Sequence, residues 1–271
     1  MNYRHAFHAG NFADVVKHLA LVEMLGHLRR KDAAFAVIDT HAGCGAYDLA
    51  GPEAVRTGEA KDGIGRLHQA GGFSGGPEAL ATYLELTVGS RYPGSPLLAA
   101  RLLRSQDRLV AIERHPEEAA ILAETLRPFA HARVEQADGY GRLTALLPPP
   151  ERRALVLIDP PYESPDEFER VAHLFRAAYR RFATGLYLIW FPIKSTAEAN
   201  GFCGEVLASG TAKVLRIDVV RRAGAEGKLA AAGLLVINPP WQFEQHMGAS
   251  LDLVLPLLGA EARFDRLAGE A

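Results

Sequence analysis

Seven short apolar runs, most of which stop at an acid, a glycine or a proline, constrain the fold of this 271-residue chain more than any other feature. Typical examples are "AFAVID", "RLVAIE", "ALVLIDPP" and "TGLYLIWFP". Runs of this kind predict strands of a parallel sheet, because such strands are buried on both faces. Helix-like stretches lie before or between them, at about 12–30, 116–127, 166–183 and 195–209. The alternation indicates a doubly wound α/β sheet with right-handed crossovers.

The last two runs, "AKVLRIDVV" and "AAGLLVINPP", are joined only by the short polar segment "RRAGAEGKL". A connection of that length predicts an antiparallel hairpin instead of a parallel crossover. A seven-stranded, Rossmann-like sheet whose last strand is antiparallel is the arrangement of class I S-adenosylmethionine-dependent methyltransferases. We therefore expect that α/β fold class, and the topology suggests the chemistry by analogy.

The spacing of two acids predicts an insertion. In an ordinary doubly wound sheet the acid that ends the second strand follows the first strand by about 20 residues. Here Asp39 ends the first strand and Glu113 ends the second, so about 50 extra residues lie between them. We expect a small helical subdomain at 50–100, inserted into a methyltransferase domain made of residues 1–49 and 101–271.

The charge of the chain gives no global sign of nucleic-acid binding, because 30 basic and 32 acidic residues leave a formal net charge of −2. Any electrostatic contact with a nucleic acid must then come from a local patch. The simpler interpretation of each candidate patch is a solvated face. The candidates are Arg29, Arg30 and Lys31; Arg176, Arg180 and Arg181; and Arg221 and Arg222.

Two cysteines without metal-ligand spacing argue against a disulfide framework and against a zinc site. A reducing cytoplasm is the simplest compartment for such a chain. The N-terminus lacks the apolar segment of a signal peptide, and no run of about 18 apolar residues occurs. Membrane insertion is therefore not expected.

The loop "THAGCGAY" turns through Gly43 and Gly45 after the first strand. Glycine allows a ligand to approach the backbone closely. A dinucleotide site needs a third glycine three positions later, where Asp48 stands. The loop therefore favours a ligand without phosphates, although a purely structural turn would explain it as well.

Further acids end the next strands. Glu113 is placed like the carboxylate that accepts from ribose hydroxyls, and Asp138 with Gly139 follows the third strand, where an adenine amino group would lie. Singly, each acid could be a helix cap or a surface residue. Because ligands of open α/β sheets bind beyond the carboxyl ends of the strands, the acids together indicate a cofactor pocket.

The segment "LVLIDPPYE" ends the fourth strand with an acid, two prolines and a tyrosine. Prolines stiffen the turn, so the Asp159 carboxylate and the Pro160 carbonyl can point outward as fixed acceptors. Two acceptors beside the flat ring of Tyr162 suit a planar amino group on an aromatic base. We interpret this motif as the site that presents a base nitrogen to a methyl donor.

A second motif of the same kind, "NPPW", follows the last strand. That strand is expected to be antiparallel, so its turn opens on the opposite edge of the sheet from the cofactor. We therefore assign Asn238, Pro239, Pro240 and Trp241 to structure.

The N-terminal segment "NYRHAFHAGNFADVVKH" is dense in polar and aromatic groups. Asp14 with Lys17 and His18 would ordinarily be a surface ion pair at helical spacing. The segment before them could equally be an ordered arm or an RNA-contacting arm. Its candidate residues are Tyr3, Arg4, His5 and His8.

The combination of "YRHAFHAGNFADVVKH", "IDTHAGCGAY", "YPGSPLLAARLLR", "IERHP", "ADGY", "LVLIDPPYE" and "INPPW" resembles the bacterial large-subunit ribosomal RNA adenine-N6 methyltransferase family of the J type. The resemblance covers nearly the whole chain. It implies an S-adenosylmethionine enzyme that acts as a monomer, without a metal, on N6 of one adenine in 23S ribosomal RNA. The preferred substrate would be RNA that is not yet fully assembled into the subunit.

The resemblance also implies roles for individual residues. It makes Asp159 the catalytic acceptor with Tyr162 beside it, and it makes Tyr3 a contact of the target adenine, with Arg4 next to it in the same arm. The implied cofactor contacts are Lys17, His18, His41, Gly43, Ser95, Glu113, Asp138, Gly139 and Asp159. Cys44 departs from the small residue usual between the two glycines, and we expect this change to be neutral.

Three other functions stay open at this point. A DNA adenine methyltransferase would use the same motif, but no separate domain for sequence recognition is visible, which favours recognition of RNA shape. The family has also carried a label of competence or DNA utilisation, yet a non-catalytic binding module would have no use for "DPPY". Methylation of a protein glutamine is typical of "NPPY" and is disfavoured by Asp159.

Overall fold

A computed structural model describes residues 4–73, 75–222 and 229–268 of the protein. The strands are, in chain order, β1 (Ala36–Asp39), β2 (Ala46–Asp48), β3 (Arg91–Pro93), β4 (Arg108–Glu113), β5 (Ala132–Gln136), β6 (Ala154–Ile158), β7 (Leu186–Pro192), β8 (Val214–Arg221), β9 (Ala231–Ile237) and β10 (Ala260–Ala268). The α-helices are α1 (Phe12–Arg29), α2 (Pro52–Thr57), α3 (Glu59–Asp62), α4 (Ile64–Gln69), α5 (Glu78–Leu86), α6 (Ser95–Leu102), α7 (Pro116–Leu126), α8 (Gly139–Arg142), α9 (Glu167–Arg181), α10 (Thr196–Leu207) and α11 (Phe243–Leu258). Short 3₁₀ helices lie at His5–Phe7 and Leu143–Leu146.

The large sheet has eight strands in the order β10-β8-β9-β7-β6-β1-β4-β5. The five strands from β7 to β5 are parallel, and β9 lies antiparallel between β7 and β8. β8 therefore has the same direction as those five strands. This confirms the predicted class I arrangement of six parallel strands with one antiparallel strand inserted. The middle of the hairpin connection, residues 223–228, lies outside the described residues.

β10 gives the sheet one strand more than the seven expected. It pairs antiparallel with the outer side of β8. Its sequence "AEARFDRLA" alternates charged residues such as Glu261, Arg263 and Asp265 with smaller or apolar ones. Charged side chains are typical of a strand at the edge of a sheet. The segment therefore lacks the continuous apolar run by which the buried strands were predicted.

The core lies on both faces of the sheet, because successive strand residues point to opposite faces. Val37 and Leu155 pack in the core that includes α1, whereas Ile38 and Val156 pack with α9 and α10 on the other face. The helices predicted at 116–127, 166–183 and 195–209 are α7, α9 and α10, and their ends differ from the prediction by at most two residues. Among the described residues, no helix is long and apolar enough to cross a membrane.

Helix α1 is the central helix of its face and is buried on nearly all sides. It begins where the sequence predicts, because Oδ1 of Asn11 accepts hydrogen bonds from the backbone N–H groups of Ala13 and Asp14, both at 2.9 Å. It packs against β7, β9, α5, α6 and α11. Polar residues on this helix are consequently forced into the interior of the protein.

The segment between β1 and β4 contains the helices expected of the insertion. β2 and β3 form a two-stranded antiparallel sheet that brackets α2, α3, α4 and α5. α5 packs on α1 and α4 packs on α11, so these helices are joined to the body of the protein. The division of the chain into two domains stays a prediction.

Candidate active site

The carboxyl ends of four parallel strands meet at one edge of the sheet, which we call the carboxyl edge. Register places Asp39 of β1 opposite Ala111 of β4 and Leu157 of β6, so the ends of these strands are neighbours. The acids that end or follow the four strands are Asp39, Glu113, Asp138 and Asp159. The structure therefore brings together the acids that the sequence analysis assigned to one site.

Glu113, the last residue of β4, accepts a hydrogen bond from the glycine loop that follows β1. The backbone N–H of Gly43 donates to Oε2 over 2.8 Å, and that of His115 donates to Oε1 over 2.7 Å. Gly43 has φ +60°, which disfavours any side chain, and a Cβ there would lie 2.3 Å from the hydroxyl oxygen of Tyr47, which would have to move. Each carboxylate oxygen of Glu113 retains a lone pair with which it can accept from a ligand.

Asp138 and Gly139 lie where β5 passes into α8. The side chain of Asp138 caps this short helix by accepting from the backbone N–H of Tyr140 over 3.2 Å. A Cβ on Gly139 would lie 2.1 Å from the carbonyl oxygen of Thr40. The end of β1 and the start of α8 are therefore in direct backbone contact.

His41 lies between these two segments. Its Nδ1 is 2.8 Å from Oγ1 of Thr40, and its ring centroid is 5.1 Å from that of Tyr140. Burial lowers the pKa of His41 to about 4, although the charge of Asp138 opposes the shift. The imidazole is consequently neutral near pH 7 and can donate one hydrogen bond and accept another.

Ser95, the first residue of α6, reaches the same edge from the end of the insertion. Its Oγ donates to Oδ2 of Asp39 over 2.6 Å, and both side chains are buried. Burial raises the pKa of Asp39 to about 6, and the nearby charge of Asp159 adds to the effect while the bond from Ser95 opposes it. Sequence spacing gave no sign of this contact.

Lys17 connects α1 to the "DPPY" turn. Its Nζ donates to Oδ2 of Asp159 over 2.6 Å and also forms an ion pair with Oδ1 of Asp14 at 2.8 Å. Burial opposes the charge of this lysine, but the carboxylates of Asp14 and Asp159 outweigh that effect and raise its pKa. Oδ1 of Asp159 accepts no hydrogen bond from any described residue, so one carboxylate oxygen is held and the other is available.

The expectation that Asp14 and Lys17 form an ordinary surface pair is wrong. The two residues are only 3% and 5% exposed, because α1 is buried on nearly all sides. Asp14 also accepts from Nε2 of His5 and from the backbone N–H of Gly10, each at 2.9 Å. Asp14 thus ties the N-terminal segment to Lys17, a role that the spacing of charges did not reveal.

His18 is almost completely buried beside Lys17. Its Nδ1 lies 2.8 Å from the hydroxyl of Tyr92, which in turn lies 2.8 Å from the hydroxyl of Tyr83. Nε2 is buried and has no hydrogen-bond partner among the described residues. Burial lowers the pKa of His18 to about 3, so the ring stays neutral. A buried polar atom without a partner is rare in proteins and points to a ligand or a water.

Tyr162 is held tightly beside Asp159. Its hydroxyl donates to the carbonyl oxygen of Trp190 over 2.8 Å, and its ring lies 4.9 Å from Phe168 and 5.8 Å from Trp190 between centroids. The residue has φ +50° and is 7% exposed. The prolines before it therefore lead into a backbone conformation that is costly for a bulky side chain and is stabilised by this packing.

Of the two predicted substrate contacts, Tyr3 and Arg4, the structure describes only Arg4. Tyr3 lies outside the described residues. Arg4 is exposed at the start of the first 3₁₀ helix, where its carbonyl accepts from the backbone N–H of Phe7. The role of either residue stays a prediction.

The "NPPW" turn lies at the opposite edge of the sheet, as the topological argument predicted. Nδ2 of Asn238 donates to the carbonyl oxygens of Ala183 and Gly185, both at 2.8 Å, just before β7 begins. Asn238 has φ +55°, a conformation that asparagine tolerates better than most residues. Trp241 is 79% exposed there.

Comparisons with known proteins give one consistent family. A family model described as "Ribosomal RNA large subunit methyltransferase D, RlmJ" matches residues 32–265. Two relatives, each named "Ribosomal RNA large subunit methyltransferase J", are similar over 91% of this chain and 90% of their own length. The Haemophilus influenzae relative is 41% identical over 256 residues, and the Escherichia coli relative is 40% identical over 255 residues.

One solved structure is also similar along nearly its whole length. A crystal structure of a Legionella pneumophila protein superposes with a TM-score of 0.87 at 32% identity, and the match covers 96% of this chain and 98% of that one.

Proposed function

This chain belongs to the RlmJ family of large-subunit ribosomal RNA methyltransferases, and we propose that it transfers a methyl group from S-adenosylmethionine to the exocyclic N6 of one adenine in 23S ribosomal RNA. Membership of the family makes the protein an enzyme of the EC 2.1.1 type, and S-adenosylmethionine is its methyl donor. The choice of N6 rests on one observation above all, which is the Asp159 carboxylate held by Lys17 at the end of β6.

The carboxyl edge offers polar groups that suit S-adenosylmethionine. At Gly43 and Gly139 the missing side chains let the glycine loop and the start of α8 pack closely against Tyr47 and Thr40. Nε2 of His18 is buried and lacks a partner among the described residues, which suits a polar group of a ligand. We assign the ribose hydroxyls to Glu113 and the adenine to Asp138 and Gly139. The remaining contacts are assigned to Lys17, His18, His41, Gly43, Ser95 and Asp159.

The acceptor side of the site is the Asp159–Pro160 turn. S-adenosylmethionine supplies a methyl group on a positively charged sulfur, which a nitrogen lone pair attacks. In adenine the N6 lone pair is delocalised into the ring, so the site has to favour a more tetrahedral nitrogen. We propose that Oδ1 of Asp159 and the carbonyl oxygen of Pro160 accept one hydrogen bond each from the amino group. Orientation of the nitrogen would then supply much of the rate.

Lys17 prepares Asp159 for this role. It occupies Oδ2, so the carboxylate keeps one orientation and presents Oδ1 to the substrate. Its charge also compensates the carboxylate in a partly buried place, which would otherwise be costly. One amino hydrogen of the base must leave as a proton when the nitrogen is methylated, and we propose that Oδ1 of Asp159 accepts it.

The target base has to leave its stack to reach this turn. Turning a base out of a helix costs a few kcal/mol, and stacking on an aromatic ring is worth about 1–3 kcal/mol. We propose that Tyr162 provides that contact and that Tyr3 and Arg4 guide the base. The resemblance to the J-type family further implies RNA that is not yet fully assembled as the substrate and a monomeric enzyme, and we propose both.

The substrate class is tested by offering labelled S-adenosylmethionine with three substrates in parallel. These are protein-free unmodified 23S RNA, assembled large subunits and adenine-containing duplex DNA. We expect label in the protein-free RNA, much less in assembled subunits and none in DNA. Label in DNA alone would make the protein a DNA adenine methyltransferase and would overturn the proposal.

A further inference from the structure

Three consecutive cations form an exposed group at the edge of the sheet opposite the active site. They end α1 and begin the connection to β1, and all three are exposed: Arg29, Arg30 and Lys31. None of the three forms an ion pair with a described residue. The parallel strands begin at this edge, which we call the amino edge.

Two further arginines, from other parts of the fold, bind the backbone at the same connection. Arg104 donates from Nη1 to the carbonyl oxygen of Lys31 over 3.0 Å. Arg153 donates from Nη2 to the carbonyl oxygen of Leu28 over 2.8 Å and from Nη1 to that of Ala33. We call Arg29, Arg30, Lys31, Arg104 and Arg153 the basic cluster. Segments distant in sequence thus place five cations around one short loop.

Few carboxylates compensate the basic cluster. Asp107 is bound by Arg104, and Asp32 is exposed within the loop. Burial and the charges of Arg30, Lys31 and Arg153 together lower the pKa of His27, against the opposing charge of Glu23. The charges of these cations therefore act on the pKa of His27 in the same direction as its burial.

The favourable interaction of cations with the C-terminal end of a helix explains only part of this arrangement. Arg29 lies in the last turn of α1, where a positive charge is ordinary. Lys31 lies beyond that turn, and Arg104 and Arg153 follow other elements of the fold. A single helix end therefore does not account for the cluster.

The carboxyl edge is rich in carboxylates, although the guanidinium carbon of Arg170 also lies there, 4.0 Å from the ring centroid of Tyr140. The carboxylates gathered there are Asp14, Asp39, Glu113, Asp138 and Asp159, with Lys17 as the cation between two of them. These carboxylates repel a polyanion, and the net charge of the chain is −2. Since β1 has only four residues, about 13 Å of strand separates the two edges. An RNA much larger than the base in the active site can reach both.

We propose that the basic cluster is a second RNA contact, which binds backbone phosphates of the same RNA whose adenine occupies the active site. The inference rests on the proposed function for the identity of the RNA. Phosphate contacts from lysine and arginine supply sequence-independent affinity that falls with salt concentration. The basic cluster would therefore bind the substrate while residues at the carboxyl edge catalyse the reaction.

The test replaces the three exposed cations in the variant Arg29→Ser, Arg30→Ser, Lys31→Ser. The matched control is Arg222→Ser, Arg263→Ser, Arg266→Ser, which removes two exposed arginines from β10 and one from the residue after β8. The readouts are the dissociation constant for protein-free 23S RNA at several salt concentrations, and kcat and KM for methyl transfer. Melting temperature and affinity for S-adenosylmethionine check that the fold and the cofactor site are intact.

We expect the cluster variant to bind the RNA about tenfold or more weakly at low salt, with a slope of log affinity against log salt smaller by about 2–3. KM should rise while kcat at saturating RNA stays unchanged, and the control should behave like the wild type. Equal RNA affinity of the variant and the wild type, or an equal loss in the control, would overturn the inference. If the wild type methylates no RNA, the proposed function fails, whereas the binding comparison still decides the role of the cluster.

Discussion

Nζ of Lys17 lies 2.6 Å from Oδ2 of Asp159, although 142 residues of chain separate the two. The contact joins α1 to the end of β6 and holds one oxygen of the proposed catalytic carboxylate. The same ammonium group lies 2.8 Å from Asp14, so one buried cation serves two carboxylates. The geometry of the acceptor site therefore depends on the N-terminal helix as much as on the "DPPY" turn.

Replacement of Lys17 by methionine should affect both stability and turnover. Asp14 would lose its ammonium partner in the interior, and removing one member of a buried pair costs about 3–5 kcal/mol. Asp159 would lose its fixed orientation, so kcat should fall even where the protein is folded. Chemical denaturation and steady-state methyl transfer measure the two effects, with Lys61→Met on the surface as the control. A variant with wild-type kcat would contradict the orienting role of Lys17.

Replacement of Asp159 by alanine should lower the rate of methyl transfer while leaving the binding of S-adenosylmethionine nearly unchanged. Affinity for S-adenosylmethionine should stay within a few-fold of the wild type, because most of the proposed cofactor contacts come from other strands. Turnover should fall by at least about 100-fold, the usual range for loss of a group that accepts a proton in the transition state. Calorimetric titration and single-turnover transfer measure the two properties.

The matching change in the second motif is Asn238→Ala. It removes two hydrogen bonds at the amino edge, so we expect a loss of about 1–3 kcal/mol in the free energy of unfolding and little change in kcat. Loss of activity in a folded Asn238→Ala protein would show that the topological assignment of "NPPW" to structure is mistaken.

Two variants of Tyr162 distinguish its ring from its hydroxyl. Tyr162→Phe keeps the ring and loses the bond to the carbonyl of Trp190, so it should mainly lower stability by about 1 kcal/mol. Tyr162→Ala also removes the stacking surface, so the KM for RNA should rise while the affinity for S-adenosylmethionine is unchanged. Equal KM values for RNA in the wild type and Tyr162→Ala would remove the stacking role.

Gly139 and Gly141 form a matched pair within α8. A Cβ at Gly139 would meet the carbonyl oxygen of Thr40 at 2.1 Å, whereas one at Gly141 meets nothing within 4 Å. We expect Gly139→Ala to lower the free energy of unfolding by about 1–3 kcal/mol. It should also weaken the binding of S-adenosylmethionine, because the backbone at the carboxyl edge has to shift. Gly141→Ala should leave both unchanged. Thermal melting and cofactor titration of the two variants decide the matter.

Asp39 should give the protein a measurable pH dependence. Its pKa is raised from 3.8 to about 6, so the folded state holds the proton more tightly than the unfolded state. The resulting stabilisation is complete below about pH 4 and is lost as the pH rises through about 6, by roughly 3 kcal/mol in all. Relative to the wild type, Asp39→Asn should therefore gain stability over this interval. Denaturation at several pH values, with exposed Asp252→Asn as the control, tests this; a pH-independent difference would contradict it.

The sequence predicted the sheet and the acids at its carboxyl edge because both depend on local patterns. An apolar run followed by an acid identifies a strand and its end, and parallel strands necessarily bring those ends together. Asp39, Glu113, Asp138 and Asp159 were therefore placed correctly by topology alone. The short final connection likewise predicted the antiparallel strand β9 and the position of Asn238.

The contacts that complete the site were not accessible in this way. The spacing of Asp14 and Lys17 describes one face of a helix, but it does not say that α1 is covered on nearly all sides. The bond from Ser95 to Asp39 depends on how the insertion returns to the sheet, which no periodicity records. β10 went unrecognised because an edge strand carries alternating charges instead of an apolar run.

The central claim is that the enzyme methylates N6 of adenine through the Asp159 turn. The most direct test is nucleoside analysis of protein-free 23S RNA after reaction with labelled S-adenosylmethionine, with Asp159→Ala as the parallel sample. The account predicts label in N6-methyladenosine with the wild type and at least about 100-fold slower labelling with the variant. Label in any other methylated nucleoside, or equal labelling by Asp159→Ala, would contradict it.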